Sequence, residues 1–92
     1  MNDMKGVALR LTCPSCPCQF EGTVDGYPAY YRSRWGEWEF DIVKTGTDPI
    51  LPKPENILYH GEGYGGEFDT DAWGIIKQCV AEFRKKQERR GE

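Results

Sequence analysis

The 92-residue chain has no apolar run long enough to form a membrane span. Its first residues, MNDMKGVALRLTC, lack the apolar core of a secretory signal, so the expected compartment is the cytosol. Histidine occurs once, at His60. A general base needs an orienting partner and a proton within reach, and no such arrangement follows from spacing around His60. Neither serine nor threonine lies in a nucleophile motif. An enzyme is therefore the least supported class. A second Cys-x-x-Cys is also missing, and no internal repeat or domain boundary is visible. Residues 1–92 read as one small domain, with 87–92 as a frayed charged tail.

Positive charge is scarce through the middle of the chain. From Glu37 to Asp71 there are nine acids and two lysines, whereas Lys77 to Arg90 holds six basic residues and two acids. The acidic centre argues against direct nucleic-acid binding, and the basic end is too local to reverse that.

The chain is organised by residues 19–43, QFEGTVDGYPAYYRSRWGEWEFDIV. Asp25-Gly26 suits a two-residue turn of the mirror-image type that demands positive φ, and Trp35-Gly36 supplies a second one. Counting outward from both turns gives a three-stranded antiparallel meander. One face carries Phe20, Gly22, Val24, Tyr27, Ala29, Tyr31, Ser33, Trp38, Phe40 and Ile42. Gln19, Glu21, Thr23, Tyr30, Arg32, Arg34, Glu37, Glu39 and Asp41 occupy the other. Arg34 then falls opposite Glu37 and Arg32 opposite Glu39, a cross-strand charge ladder. Slipping the register by one residue would bury charges, so one register is specified.

Val7, Leu9 and Leu11 alternate with Ala8, Arg10 and Thr12 as in a half-buried strand. A Cys-Pro knuckle follows. KTGTDPILPKPEN reads as an irregular loop, Ile57–His60 as a short fifth strand, and GEGYGG as a glycine-rich turn presenting Tyr64. A helix is expected from about Thr70 to Lys86. Asp69 is its N-cap, Phe68 and Trp73 form a staple, and Ala72, Trp73, Ile76, Cys79, Val80 and Phe83 form its apolar stripe. The fold class is α+β: an antiparallel four- to five-stranded meander with one C-terminal helix packed on one face.

Cys13, Cys16 and Cys18, in C-P-x-C-P-C, have half of the spacing that a zinc knuckle needs. Cys79 and His60 are the available completions, so the cofactor expectation is none or a structural zinc. The alternative is buried or idle thiols. Gly61–Gly66 matches G-x-G-x-x-G, but Glu62, Glu67, Asp69 and Asp71 would repel a phosphate, and no strand follows the helix to complete a dinucleotide unit. A small nucleotide-like ligand between this loop and the aromatic sheet is a third reading.

Aromatic residues exceed what a core of this size needs. Tyr30, Arg32, Trp35, Glu37, Glu39 and Tyr64 combine the residue types that carry interface hot spots, and they form the expected contact patch. The leading expectation is a binding protein with a protein partner; self-association as a homodimer is a further option.

Glu21 to Phe40, EGTVDGYPAYYRSRWGEWEF, resembles a pattern in short proteins of phages and mobile elements, where such a turn leads into an aromatic-arginine strand and a tryptophan-containing return strand. Asp69 to Lys85 is similar to their C-terminal helices. The resemblance covers about half of the chain and defines no functional residue. It implies a setting: small, acidic, non-catalytic phage proteins often inhibit host defence systems, as anti-CRISPR proteins do, by occupying a host protein in the cytosol.

Overall fold

The computed structural model describes residues 5–13, 18–50, 52–65 and 69–90, the side chains at 13, 18, 69–71, 89 and 90 excepted. Five strands, β1 (Val7–Cys13), β2 (Cys18–Val24), β3 (Tyr27–Arg34), β4 (Glu37–Val43) and β5 (Ile57–Tyr64), are followed by one helix, α1 (Asp69–Arg90). The strands form a single antiparallel sheet in chain order, a meander with β1 and β5 at its edges.

Both turns behave as their residues dictate. Asp25 and Gly26 have φ of 53° and 87°, and Trp35 and Gly36 have 58° and 76°, so each hairpin closes with two residues at positive φ. From these corners the register runs as counted: Arg34 opposite Glu37, Ser33 opposite Trp38, Arg32 opposite Glu39, Tyr31 opposite Phe40 and Ala29 opposite Ile42. The expected inner face is the buried one. Phe20, Val24, Ala29, Tyr31, Phe40 and Ile42 meet Ala72, Ile76, Cys79, Val80 and Phe83 of α1 in a single core. Ring contacts fix the helix across the sheet: Trp73 lies 5.9 Å from Phe20, and Phe83 stands edge-on to Tyr27 at 6.0 Å.

A polar clamp holds the far end of the helix. Arg84 donates from Nε and Nη2 to the two Asp25 carboxylate oxygens at 3.0 and 2.7 Å, and from Nη2 to the Lys5 carbonyl at 2.7 Å. Asp25 N–H in turn donates to Gly6 O at 2.7 Å. One guanidinium thereby joins the entry to β1, the β2–β3 turn and α1. This contact holds the Asp25 carboxyl below its usual range, chiefly through the Arg84 hydrogen bond.

Two expectations need correction. Gly61 to Tyr64 form no turn; they continue β5 in register with β4. Glycine fits there because Trp38 and Tyr59 cover it. A Cβ on Gly63 would lie 2.8 Å from the Trp38 indole nitrogen, and one on Gly61 3.0 Å from the Tyr59 hydroxyl. The helix also runs to Arg90, past the end that the apolar stripe marks. The long β4–β5 connection is irregular as expected but tied down: Lys44 N–H donates to Asn56 O at 2.9 Å, closing the loop around the 3-10 turn Pro54–Asn56. Both the Asp69 side-chain cap and the Phe68–Trp73 staple lie outside the described residues. No described helix is long and apolar enough to cross a membrane.

Candidate functional site

Among the described residues no helix covers the sheet face away from α1, and strand alternation sends the polar half of every strand to it. Rows across the sheet follow from the register. Arg34, Glu37 and Tyr64 make one row, and Gln19, Arg32, Glu39 and Glu62 the next. Arg10, Glu21, Tyr30, Asp41 and His60 make a third.

At one corner of this face the chain brings together two of the expected contact residues that are far apart in sequence. Trp35 sits at the β3–β4 tip, 83% exposed, and Tyr64 at the end of β5, 85% exposed. Gly65 joins them: its N–H donates to Gly36 O at 2.8 Å, and its carbonyl accepts from the buried Ser33 hydroxyl at 3.1 Å. Beside them runs a shallow groove of about 250 Å³ bordered by Glu37, Glu39, Glu62 and Tyr64.

Two features of the corner work against stability. Trp35 has φ of 58°, in the left-handed region, where a side chain with a Cβ is strained by about 1–2 kcal/mol. The equivalent place in the other hairpin holds Asp25, which tolerates it. Glu39 also stands directly opposite Glu62, a like-charge pair that costs free energy.

The register of the expected charge ladder is present, but its ion pairs are not. Among the described residues the ion pairs are His60–Asp41, His60–Glu62 and Arg84–Asp25. Among the described residues, Arg32, Arg34, Glu37 and Glu39 therefore present charges without a salt bridge. Tyr30 shares the face but not the corner: it lies in the row of Asp41 and His60, four residues along β3 from Arg34, about 13 Å away.

His60 is the functional group that spacing did not explain. Its Nδ1 lies 2.5 Å from Asp41 Oδ1 across the strand pair, and its Nε2 lies 2.9 Å from Glu62 Oε1 two residues along. Only the doubly protonated ring can donate to both carboxylates. Hydrogen bonds to Glu62 and then Asp41 accordingly raise its pKa above 6.5. The signal was present in sequence: Asp41 is opposite His60 once the β4–β5 register is extended, and His-x-Glu places both side chains on one face.

Cys79 lies on the other face. It is buried, and burial pushes its thiol up, away from the reactive thiolate form. Tyr59 beside it is kept a phenol by burial and by donating to Glu82 Oε1 at 2.6 Å. Cys79 would contact a Cβ on Gly61 at 3.3 Å, which places it against β5, whereas Cys18 opens β2, three strand spacings or about 14 Å away. His60 stands on the other face of β5 from Cys79, turned to Asp41 and Glu62. The side chains of Cys13, Cys16 and Cys18 lie outside the described residues, and among those described no group of three His, Cys, Asp or Glu is placed to hold a metal.

The glycine-rich stretch offers no phosphate cradle over Gly61–Tyr64. Since Gly65 N–H points to β4's side, ladder alternation directs the amides of Gly61 and Gly63 to β4 as well. A cleft of about 540 Å³ does lie between these residues and α1, walled by Trp38, Tyr59, Ile75 and Glu82. No protein-family model, curated protein or solved structure matches the chain.

Proposed function

We propose that the chain is a non-catalytic binding protein that docks the Trp35–Tyr64 corner on a basic surface of a partner protein. The observation that carries this reading is Trp35 itself: a large ring held at positive φ and 83% exposed, where asparagine or glycine would fold better. Its neighbours suit a cationic partner. The rings of Trp35 and Tyr64 can stack on arginine or lysine heads, and Glu37, Glu39 and Glu62 supply the countercharge. A partner cation between Glu39 and Glu62 would also relieve their mutual repulsion. Steering by the acidic edge would speed association with a basic groove, and the rate would fall as salt rises. The host-defence setting, with the chain acting as a phage-encoded inhibitor, rests on the resemblance of Glu21–Phe40 and Asp69–Lys85 alone.

The experiment is site-directed photocrosslinking in host extract, with the photoreactive residue at Glu37 or, as control, at Lys85 on the helix. The reading expects one basic protein to crosslink from position 37 and not from 85. Free wild-type chain should compete for it, and a Trp35→Asn, Tyr64→Ser variant should not. Equal capture from both positions, or full competition by the double variant, would refute the corner as the contact.

A further inference from the structure

From the open edge of β5 we infer that two copies of the chain associate, strand β5 against strand β5 of the partner copy, to make a continuous ten-stranded sheet. The inference shares Glu62 with the Trp35 corner but does not use Trp35, and it begins with backbone bonds. Because Gly61, Gly63 and Gly65 turn their amides toward β4 and the β3–β4 turn, His60, Glu62 and Tyr64 turn theirs outward. Among the described residues no backbone pairs with that edge.

Natural edges are blunted by lysine, proline or bulges. The opposite edge, β1, has Arg10 and a register break between Leu11 and Cys13. The register break of β5 lies at Leu58, at its start; from Tyr59 to Tyr64 the strand has no lysine, arginine, proline or break. It also reads as complementary to itself. A twofold axis through Gly61 sets His60 opposite the partner copy's Glu62, and Glu62 opposite the partner copy's His60. Both lie at positions whose outward amides and carbonyls can exchange two hydrogen bonds. Moving the axis to His60 or Glu62 would instead oppose like with like. Charge thus selects one register of the three. In it each His60 gains a second glutamate across the new strand pair, Glu62 gains a cation, and the two Trp35–Tyr64 corners lie at opposite ends of the joined strands. The two Tyr64 residues are then about 20 Å apart.

The test is sedimentation equilibrium of the full chain from low to high micromolar concentration, with amide hydrogen exchange followed over the same range. The expected result is a reversible monomer–dimer equilibrium in which the amides of His60, Glu62 and Tyr64 become protected as concentration rises. Amides of Gly61 and Gly63, already bonded to β4, should be protected throughout. Glu62→Lys, which sets lysine against the partner's His60 twice, should weaken association by roughly tenfold. Trp35→Asn should leave it unchanged. The exchange pattern of the wild-type chain decides the matter even where a variant folds poorly. A monomer at every concentration would overturn the inference. So would a dimer in which those three amides exchange at the monomer rate.

Discussion

Replacing Gly22 by alanine should be among the most damaging single-methyl changes in this protein, and the reason is visible in one distance. Gly22 pairs with Leu9 in the β1–β2 ladder. A Cβ there would sit 1.9 Å from the Ala8 carbonyl oxygen, 2.9 Å from its carbon and 3.0 Å from Leu9 Cα. Ordinary carbon–oxygen contacts begin near about 3.3 Å, so the strands must part by about 1.4 Å. That stretches a ladder bond of about 2.9 Å beyond any hydrogen-bond range. The obstacle is backbone, so no side-chain rotation relieves it. Losing two or three ladder bonds at about 1 kcal/mol each gives about 2–3 kcal/mol. For a domain of this size that lowers Tm by about 10–20 °C. Gly74 is the matched control. It lies exposed in α1, where an added Cβ would meet nothing within 4 Å, so alanine should stabilise by about 1 kcal/mol through helix propensity. Thermal and urea unfolding followed by circular dichroism reads both. A loss below about 1 kcal/mol in Gly22→Ala would refute the close β1–β2 approach.

Other expectations follow from the charged contacts. Arg84→Ala and Asp25→Asn, which keeps a residue at ease at the positive φ of this turn, should each cost about 1 kcal/mol, reduced by the partial exposure of the pair, and the double variant should cost little more than either alone, as a double-mutant cycle would show. Because Asp25 has a lowered pKa when folded, its contribution is present above its ordinary value of 3.8 and disappears as pH falls through the folded value; Asp25→Asn should flatten that acid limb. His60 has the opposite sign: its raised pKa stabilises the fold below pH 6.5 and the contribution fades as pH climbs through the folded value. Melting temperature measured from slightly acidic to mildly alkaline pH should therefore decline in the wild type and decline less in His60→Gln.

Much of the fold could be read from residues because turn chemistry and alternation agree at two corners. Asp25-Gly26 and Trp35-Gly36 each admit one hairpin geometry, and the register between them buries one consistent set of side chains. The continuation of β5 was not readable, because Gly61 and Gly63 carry no apolar signal; what makes them a strand is cover from Trp38 and Tyr59, a tertiary effect. The helix end escapes the sequence for a related reason: beyond Phe83 the chain is charged, and the apolar period that marks α1 stops before the helix does. In the candidate site, exposure of Trp35 followed from its turn, whereas Tyr64 is exposed as the last residue of β5 and not in the glycine turn expected for it. Their meeting at one corner depends on the Gly65–Gly36 bond between segments 29 residues apart, which no local pattern announces. Register placed arginines opposite glutamates, but side-chain geometry left them without salt bridges. Cys79, a residue of the inner stripe, and His60, on the wet face, are divided by β5, a separation that ligand counting alone does not reveal.

Trp35 is held in an unfavourable conformation, and the proposed function requires that its ring serve contact with a partner and not the fold. The stability of Trp35→Asn tests this, since the change exchanges a strained exposed ring for a residue at ease at positive φ. The expected result is a gain of about 0.5–1 kcal/mol, a rise in Tm of about 3–6 °C, together with loss of partner crosslinking. A fall in Tm of several degrees would show that the indole supports the sheet and would contradict a contact role.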